Sequence, residues 1–299
     1  MARKTVESTA GNRRGGNHNG DERRPILSYI RGILASLNPT EKLIAECVIA
    51  DPEKVTTSSI AEVKLRSGAS VGSIVGFCRR LGLKGFSEFK IALARDLAQS
   101  GLSAGDLSGK GSVLEKVFGY QMQSLAETLQ INAEADFERA TRILERAQRI
   151  EFFSTGLSFP VAYTAYSKFL LLGLTASAQS DPHMQLISAT QMRPGDLAFG
   201  ISCSGTTRET LHCVEVAKEQ GATVISLTNA MKSPITLSSD LCLYATPSEI
   251  NYFQAPLASR VTQLAIIDAL FVSLALRHRN KTASRLQRAG EELHKRRLF

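Results

Sequence analysis

Along the first third of the chain, apolar residues recur every three or four positions. In PILSYIRGILASL they fall at 26, 27, 30, 33, 34 and 37, the stripe of a helix over 25–37. Asn38-Pro39-Thr40-Glu41 then combines a capping side chain, an acid three places on and a proline at the first helical position. It predicts a second helix ending near Asp51-Pro52, with Leu43, Ile44, Cys47 and Val48 inward. A third helix starts at Ser59, again with an acid (Glu62) three residues later, and runs to Arg66. The turn Ser67-Gly68-Ala69 leads to Ser70, which caps a fourth helix ending near Leu81-Gly82; a fifth covers Phe86 to Ala98. Two short helices joined by a three-residue turn with a glycine make a helix-turn-helix.

Residues 99–111, QSGLSAGDLSGKG, lose all periodicity and are rich in Gly and Ser, as a linker between domains is. Helices are expected at Val113 to Ile131 and Ala135 to Ala147. From Ile150 the period shortens. Apolar runs at 150–153, 175–178, 197–201, 223–227 and 241–244 alternate with helical patterns at 160–172, 184–190, 207–220 and 255–277, plus a turn of helix near 233–237. Such alternation predicts an α/β domain with a five-stranded parallel sheet, covered by helices and wound in the flavodoxin-like order 2-1-3-4-5. Residues 261–271 are apolar nearly all round, as in a helix covered by its own domain or by a second subunit.

The chemistry concentrates where strands end. Leu197 to Ile201 breaks into Ser202-Cys203-Ser204-Gly205-Thr206-Thr207 before a helix that stops at Gly221. Free backbone N–H groups, the positive end of the helix dipole and several hydroxyls converge there, which suits a phosphate. No lysine follows the glycine, so a nucleotide triphosphate loop is not indicated. A second hydroxyl-rich loop, Ser154-Thr155-Gly156-Leu157-Ser158, follows the first strand, and the expected order makes the two neighbours at the switch point. An ordinary hydroxyl-capped βα turn has the same composition, so the residues alone leave both readings open. In the helix-turn-helix, Ser70, Val71 and Ser73 would approach base edges, with Arg79, Arg80, Lys84 and Lys90 placed for phosphates. A small helical dimerisation domain would pack identically.

Charge sharpens this little. The net +8 sits mainly at the ends: 277–299 carries eight basic and two acidic residues. The segments 1–24 and 278–299 read as basic tails outside the domains at 25–98 and 112–277. No apolar run approaches the roughly 20 residues of a membrane helix, and 1–24 lacks the apolar stretch of a secretory signal. Cys47, Cys78, Cys203, Cys213 and Cys242 show no CxxC pairing, so neither a disulfide framework nor a metal site is expected. The chain reads as cytoplasmic, without membrane contact.

Taken together, LNPTEKLIAECVIADPEKV, SIAEVKLRSGAS and FCRRLGLKGFSEFKIALARDL in the first half, with SDPHMQLISA, PGDLAFGISCSGTTRETL, AKEQGATVISLTN and ASRVTQLAIIDALFVSLAL in the second, resemble the RpiR-type bacterial transcriptional regulators. The resemblance runs from about Ile33 to Arg277 and implies a helix-turn-helix domain joined to a SIS (sugar isomerase) domain. It implies double-stranded DNA and a phosphorylated sugar as partners, a homodimer or homotetramer, and no cofactor or catalytic residue. Ser202, Ser204, Gly205 and Thr207, with Thr206 between them, would hold the phosphate, joined by Ser158. Glu249 and His183 are candidates for the sugar end. SIS domains also occur in sugar-phosphate isomerases and lyases, the alternative function. Departures stand out at Ser154 and Phe159, where the family usually has glycine, and at Gly76, where an arginine often precedes Phe-Cys-Arg, with Gly72 one turn earlier.

Overall fold

The computed structural model describes residues 25–100, 112–246, 251–252, 255–256 and 259–295. The tail at 1–24, most of the linker and Glu249 lie outside them.

The first helix, α1 (Ile26–Ile33), has no side-chain cap on its own N-cap residue, Pro25. Asp96 supplies one from afar: its Oδ2 accepts the Leu27 N–H at 2.8 Å. Helix α2 (Pro39–Ala50) opens with the expected capping box, the Glu41 N–H donating to Asn38 Oδ1 at 2.9 Å and the Asn38 N–H to Glu41 Oε2 at 3.1 Å. Asp51-Pro52 does more than end it. Asp51 accepts the Lys54 N–H, and Pro52 leads a further short helix, α3 (Pro52–Thr57). Helices α4 (Ile60–Ser67), capped by Ser59 with Glu62, and α5 (Val71–Arg80), capped by Ser70, meet at Gly68, whose φ is 70°. Helix α6 (Phe86–Ser100) closes the bundle. Ile30, Ile33, Ile44, Val48, Val63, Ile74, Phe77 and Leu93 are buried in its core, whereas Leu43, expected inward, is exposed and Cys47 half-buried, because the inner face of α2 centres on Ile44, Ala45 and Val48.

The second domain begins with α7 (Val113–Ile131) and α8 (Glu134–Arg146). Strands β1 (Ile150–Phe153), β2 (Ala176–Ser177), β3 (Leu197–Ile201), β4 (Thr223–Thr228) and β5 (Leu241–Tyr244) form an all-parallel sheet in the order β2-β1-β3-β4-β5, which is the order expected. Helices α9 (Phe159–Leu171), α10 (Pro182–Thr190), α11 (Arg208–Glu219) and α12 (Pro234–Ser238) connect the strands. Strands β1 and β3 are buried throughout, as apolar runs between two helical layers must be. Gly200 in β3 permits close contact with α11, since a Cβ there would stand 2.7 Å from Val214 Cγ2. At the β5 edge, Asn132 presents a side-chain amide to the backbone. Its Nδ2 donates to Tyr244 O at 2.6 Å, and its Oδ1 accepts the Tyr244 N–H at 2.9 Å.

Two expectations change at the C-terminal end. Residues 255–256 form β7 (Ala255–Pro256), paired antiparallel with β6 (Asn251–Tyr252), and the helix α13 starts later, at Ser259–Arg277. Contrary to the reading of the apolar runs, α13 is long and apolar enough to cross a membrane by length and composition. Here it is a core helix: Ile266, Ile267, Leu270 and Leu274 are buried in the sheet's apolar cluster, and it packs on α7, α8 and α9. The basic C-terminal segment is helical over α14 (Arg279–Lys295), with Arg285 donating to the Leu172 carbonyl at the end of α9. None of the five cysteines is in a disulfide, and burial pushes the Cys78 and Cys213 thiols up to about 11, so these two stay protonated apolar fillers.

Candidate functional site

The strand order places the site. The chain leaves β1 and β3 in opposite directions along the sheet, so the loops after these neighbouring strands open a crevice at their carboxyl ends. The pairing Phe153 with Gly200 carries on past the strands: the Ser154 hydroxyl donates to Ile201 O at 2.9 Å. Gln185 of α10 pins the first loop, accepting the Ser154 N–H at 3.0 Å and donating to Ser154 O and Gln179 O, each at 2.8 Å. Ser154, Gln185 and Ser202 are all buried, so the floor of the crevice is rigid and polar. Gln185 escaped the sequence reading because one glutamine in a helical pattern carries no mark of its partner.

The turn after β3 is tightly wound. Ser202 Oγ accepts the Gly205 N–H at 3.1 Å and lies 3.1 Å from Thr207 Oγ1. Ser204 Oγ, exposed, accepts the Thr206 N–H at 3.3 Å and the Thr206 hydroxyl at 2.9 Å. Gly205 sits at φ 66°, and a Cβ on it would collide with the Ser233 side chain. Only glycine satisfies both demands. Thr207 occupies the N-cap of α11, yet its side chain makes no capping bond, being turned to Ser202 instead. The first N–H groups of α11 thus keep their donors for an incoming anion, where the helix dipole is positive. Buried polar groups back the turn: the Asn229 N–H donates to Cys203 O at 3.1 Å, and Cys203 Sγ lies 3.2 Å from Ser259 Oγ.

Ser158 lies in the 3-10 turn Gly156–Ser158 at the start of α9, half-buried, on the facing loop. Phe159 does not stand free beside it; its ring is packed against the sheet core and meets the Tyr163 ring at a centroid distance of 6.3 Å, tilted by 41°. His183 is almost wholly exposed and faces only Asp181, 3.8 Å away, so nothing draws it into the crevice. Among the described residues no cluster of His, Cys, Asp and Glu could hold a metal.

On α5, Ile74, Phe77 and Cys78 are buried while Val71, Gly72, Gly76, Arg79 and Arg80 face out. Ser70 and Ser73 share a hydroxyl contact of 2.9 Å and the Ser70 cap. Val71 is 42% exposed, an apolar contact point at the head of the helix. Two of the expected phosphate contacts are engaged within the domain. Arg80 pairs with Glu41 at 2.5 Å and donates to Ser36 O, and Lys90 donates to Ser58 O and lies 5.6 Å from the Phe86 ring centre. Arg79 and Lys84 are exposed.

Residues 25–100 match the helix-turn-helix domain of the rpiR family, and residues 143–273 match the SIS domain. An uncharacterised HTH-type transcriptional regulator of Caldanaerobacter subterraneus is 35% identical over 277 residues, covering 91% of this chain and 98% of its own. HexR, an HTH-type transcriptional regulator of Pseudomonas aeruginosa, is 33% identical over 90% of this chain and 95% of its own. Among solved structures, Vibrio vulnificus NanR complexed with ManNAc-6P is similar at a TM-score of 0.61 and 25% identity, over 92% of this chain and all of that one. The sugar isomerase domain of an RpiR transcription factor from Sphaerobacter thermophilus shares the fold at a TM-score of 0.57 and 22% identity, covering 60% of this chain and 99% of that one. With both halves matched in order and relatives aligned almost end to end, the chain belongs to the RpiR family of HTH-type transcriptional regulators.

Proposed function

We propose that this regulator reads duplex DNA with paired helix-turn-helix domains, and that a phosphorylated sugar or related phosphometabolite in the crevice between 154–158 and 202–207 changes how they are presented. The observation that carries the proposal is the α11 N-terminus, left without a side-chain cap behind a ring of hydroxyls, at the switch point of a parallel sheet. The binding of ManNAc-6P by the NanR neighbour supports the class of ligand. Ser158, Ser202, Ser204, Gly205, Thr206 and Thr207 form the phosphate end. Ser70, Val71, Ser73, Arg79 and Lys84 present themselves to DNA, with Arg80 and Lys90 requiring release from their present partners to join them.

The isomerase or lyase reading would need an acid and a base facing the sugar carbons. His183, His212 and Glu209 are all exposed, and among the described residues none forms such a pair across the crevice. A non-catalytic, cytoplasmic sensor fits these placements. Self-association into a homodimer or homotetramer fits the outer face of α7, where Leu114, Phe118, Met122 and Leu129 are all more than half exposed. The domains are taken as 25–98 and 112–277, with α14 as an appendage of the second.

Two titrations test the reading. Fluorescence anisotropy with DNA from upstream of the protein's own coding region is expected to show specific binding with a steep salt slope. Thermal shift against a panel of aldose and ketose phosphates is expected to show stabilisation without turnover. Binding no tighter than to random DNA at physiological salt defeats the first half; turnover of any panel member defeats the second.

A further inference from the structure

The crevice and the reader domain are joined by a continuous run of hydrogen bonds, buried at Asn229 and Thr246 and half-buried at Glu127. It begins in the phosphate turn, where the Cys203 carbonyl accepts the Asn229 N–H at 3.1 Å. The Asn229 side chain, at the end of β4, donates to the Thr246 carbonyl at 2.5 Å and is itself held by Gln263 of α13 at 3.0 Å. The Thr246 hydroxyl donates to Glu127 Oε2 at 2.7 Å. That same oxygen accepts the hydroxyl of Ser28 on α1 at 2.9 Å. Asn229, Gln263, Thr246 and Ser28 are each at most 7% exposed, so none of these groups can turn to water instead.

Glu127 stands at the junction. It lies on α7, the first helix of the SIS domain, and reaches out of that domain to the first helix of the reader. Gln123 donates to its other oxygen at 3.0 Å and fixes the carboxylate in place. Arg31, one turn along α1 from Ser28, is half-buried and feels the Glu127 charge, as does Asp96 at the N-terminus of α1. A second link runs beside the first: the Met231 N–H donates to Gly32 O at 3.0 Å, and the Met231 side chain lies where a Gly32 Cβ would be, 2.9 Å away at Cγ. Both links leave the segment after β4 and both arrive on α1.

We infer that Glu127 is the coupling residue of this regulator: its carboxylate seats α1 against the end of β5, so that rearrangement of the phosphate turn is delivered to the reader domain through Asn229, Thr246 and Ser28. This rests on the crevice being the effector site. An anion that draws the N–H groups of 204–210 towards itself acts on the peptide whose carbonyl Asn229 holds. It shifts the reader only in so far as it binds one arrangement of this chain of bonds more tightly than another. One carboxylate oxygen shared between two hydroxyls, one from each domain, is the narrowest point of the connection.

Amide hydrogen exchange on the full chain tests this, with Thr246→Val, which removes only the hydroxyl, and Glu127→Gln as the second variant. Exchange at 26–33 is expected to be roughly three- to tenfold faster in both, the loss of one half-buried hydrogen bond. Strands β3 and β4 should keep wild-type rates, and Thr246→Ser should restore α1. Unchanged α1 rates in both variants, or a rise spread evenly over both domains, overturns the proposal. The wild type is then exposed to millimolar N-acetylmannosamine 6-phosphate and glucose 6-phosphate as probes. Protection at 202–210 accompanied by changed exchange at 26–33 supports the coupling; protection at 202–210 alone overturns it. If neither probe protects 202–210, what fails is the choice of effector, and the comparison of variants still decides the role of Glu127.

Discussion

Gly205 and Ser204 are adjacent, yet the structure assigns them different kinds of work. Gly205 combines a left-handed φ with a Cβ position occupied by Ser233, so Gly205→Ala is expected to lower stability by about 2–4 kcal/mol, strain and overpacking together. A urea titration checks it, and a midpoint within error of wild type would show that the turn relaxes freely. Ser204 is exposed and packs on nothing but the turn's own groups, so Ser204→Ala with Thr207→Ala is expected to leave the midpoint nearly unmoved while abolishing phosphate-ester protection. Loss of both DNA and ester binding in that variant would make the turn structural. Asp96 offers a pH test. Burial, aided by the Glu127 charge, lifts its carboxyl from 3.8 to about 6, while the N–H groups of α1 and Arg95 pull the other way. A raised folded-state value means that the native chain holds this proton more tightly than the unfolded one. Stability associated with Asp96 is therefore greatest below about pH 4 and declines as the pH rises towards about 6, then levels. Asp96→Asn, which keeps an acceptor for the α1 amides, should remove that decline; parallel melting profiles for the two proteins between pH 4 and 7 would refute it.

The helix α5 carries its own weakness. A Cβ on Gly76 meets nothing within 4 Å, and the backbone there is ordinary helix, so the glycine is not required by packing. Gly76→Ala should raise stability by about 0.5–1 kcal/mol, and Gly76→Arg should tighten DNA binding and steepen the salt slope by about one unit. An unchanged slope would place position 76 away from the phosphates. Periodicity made most of the helices and the five strands legible, and three helices of the first domain also announce themselves by local caps: Asn38 with Glu41, Ser59 with Glu62, Ser70 with Ser73. What escaped were elements whose logic is read twice. Asp51-Pro52 looks like a stop but is equally a cap and a first turn. Arg279–Lys295 lacks a strong apolar stripe, and its residues are good helix formers whose docking rests on one arginine meeting the end of α9. The crevice was half legible for the same reason. Its hydroxyl turn is local, whereas Gln185 and Asn229 hold backbone groups far away in the chain.

At the scale of the molecule, each domain has its own apolar core, and what joins them combines the hydrogen bonds at Glu127 with the Met231 side chain, which packs against the reader's core. One exposed apolar face belongs to α7, where Leu114, Phe118, Met122 and Leu129 stand out. The self-association proposed for this face predicts that Phe118→Glu together with Leu129→Glu yields monomers in sedimentation velocity without altering helical content; a sedimentation coefficient equal to that of the wild type would defeat this use of the face. One smaller device has consequences for the protein in bulk. The amide of Asn132 occupies the backbone of Tyr244 as a neighbouring strand would, and β5 borders the sheet. Without that mimic, the outermost strand would offer its open ladder to the same strand of another copy. A single side chain thereby blocks intermolecular ladder pairing at the Tyr244 end of β5, a guard against edge-to-edge association that no reading of the strand itself would reveal.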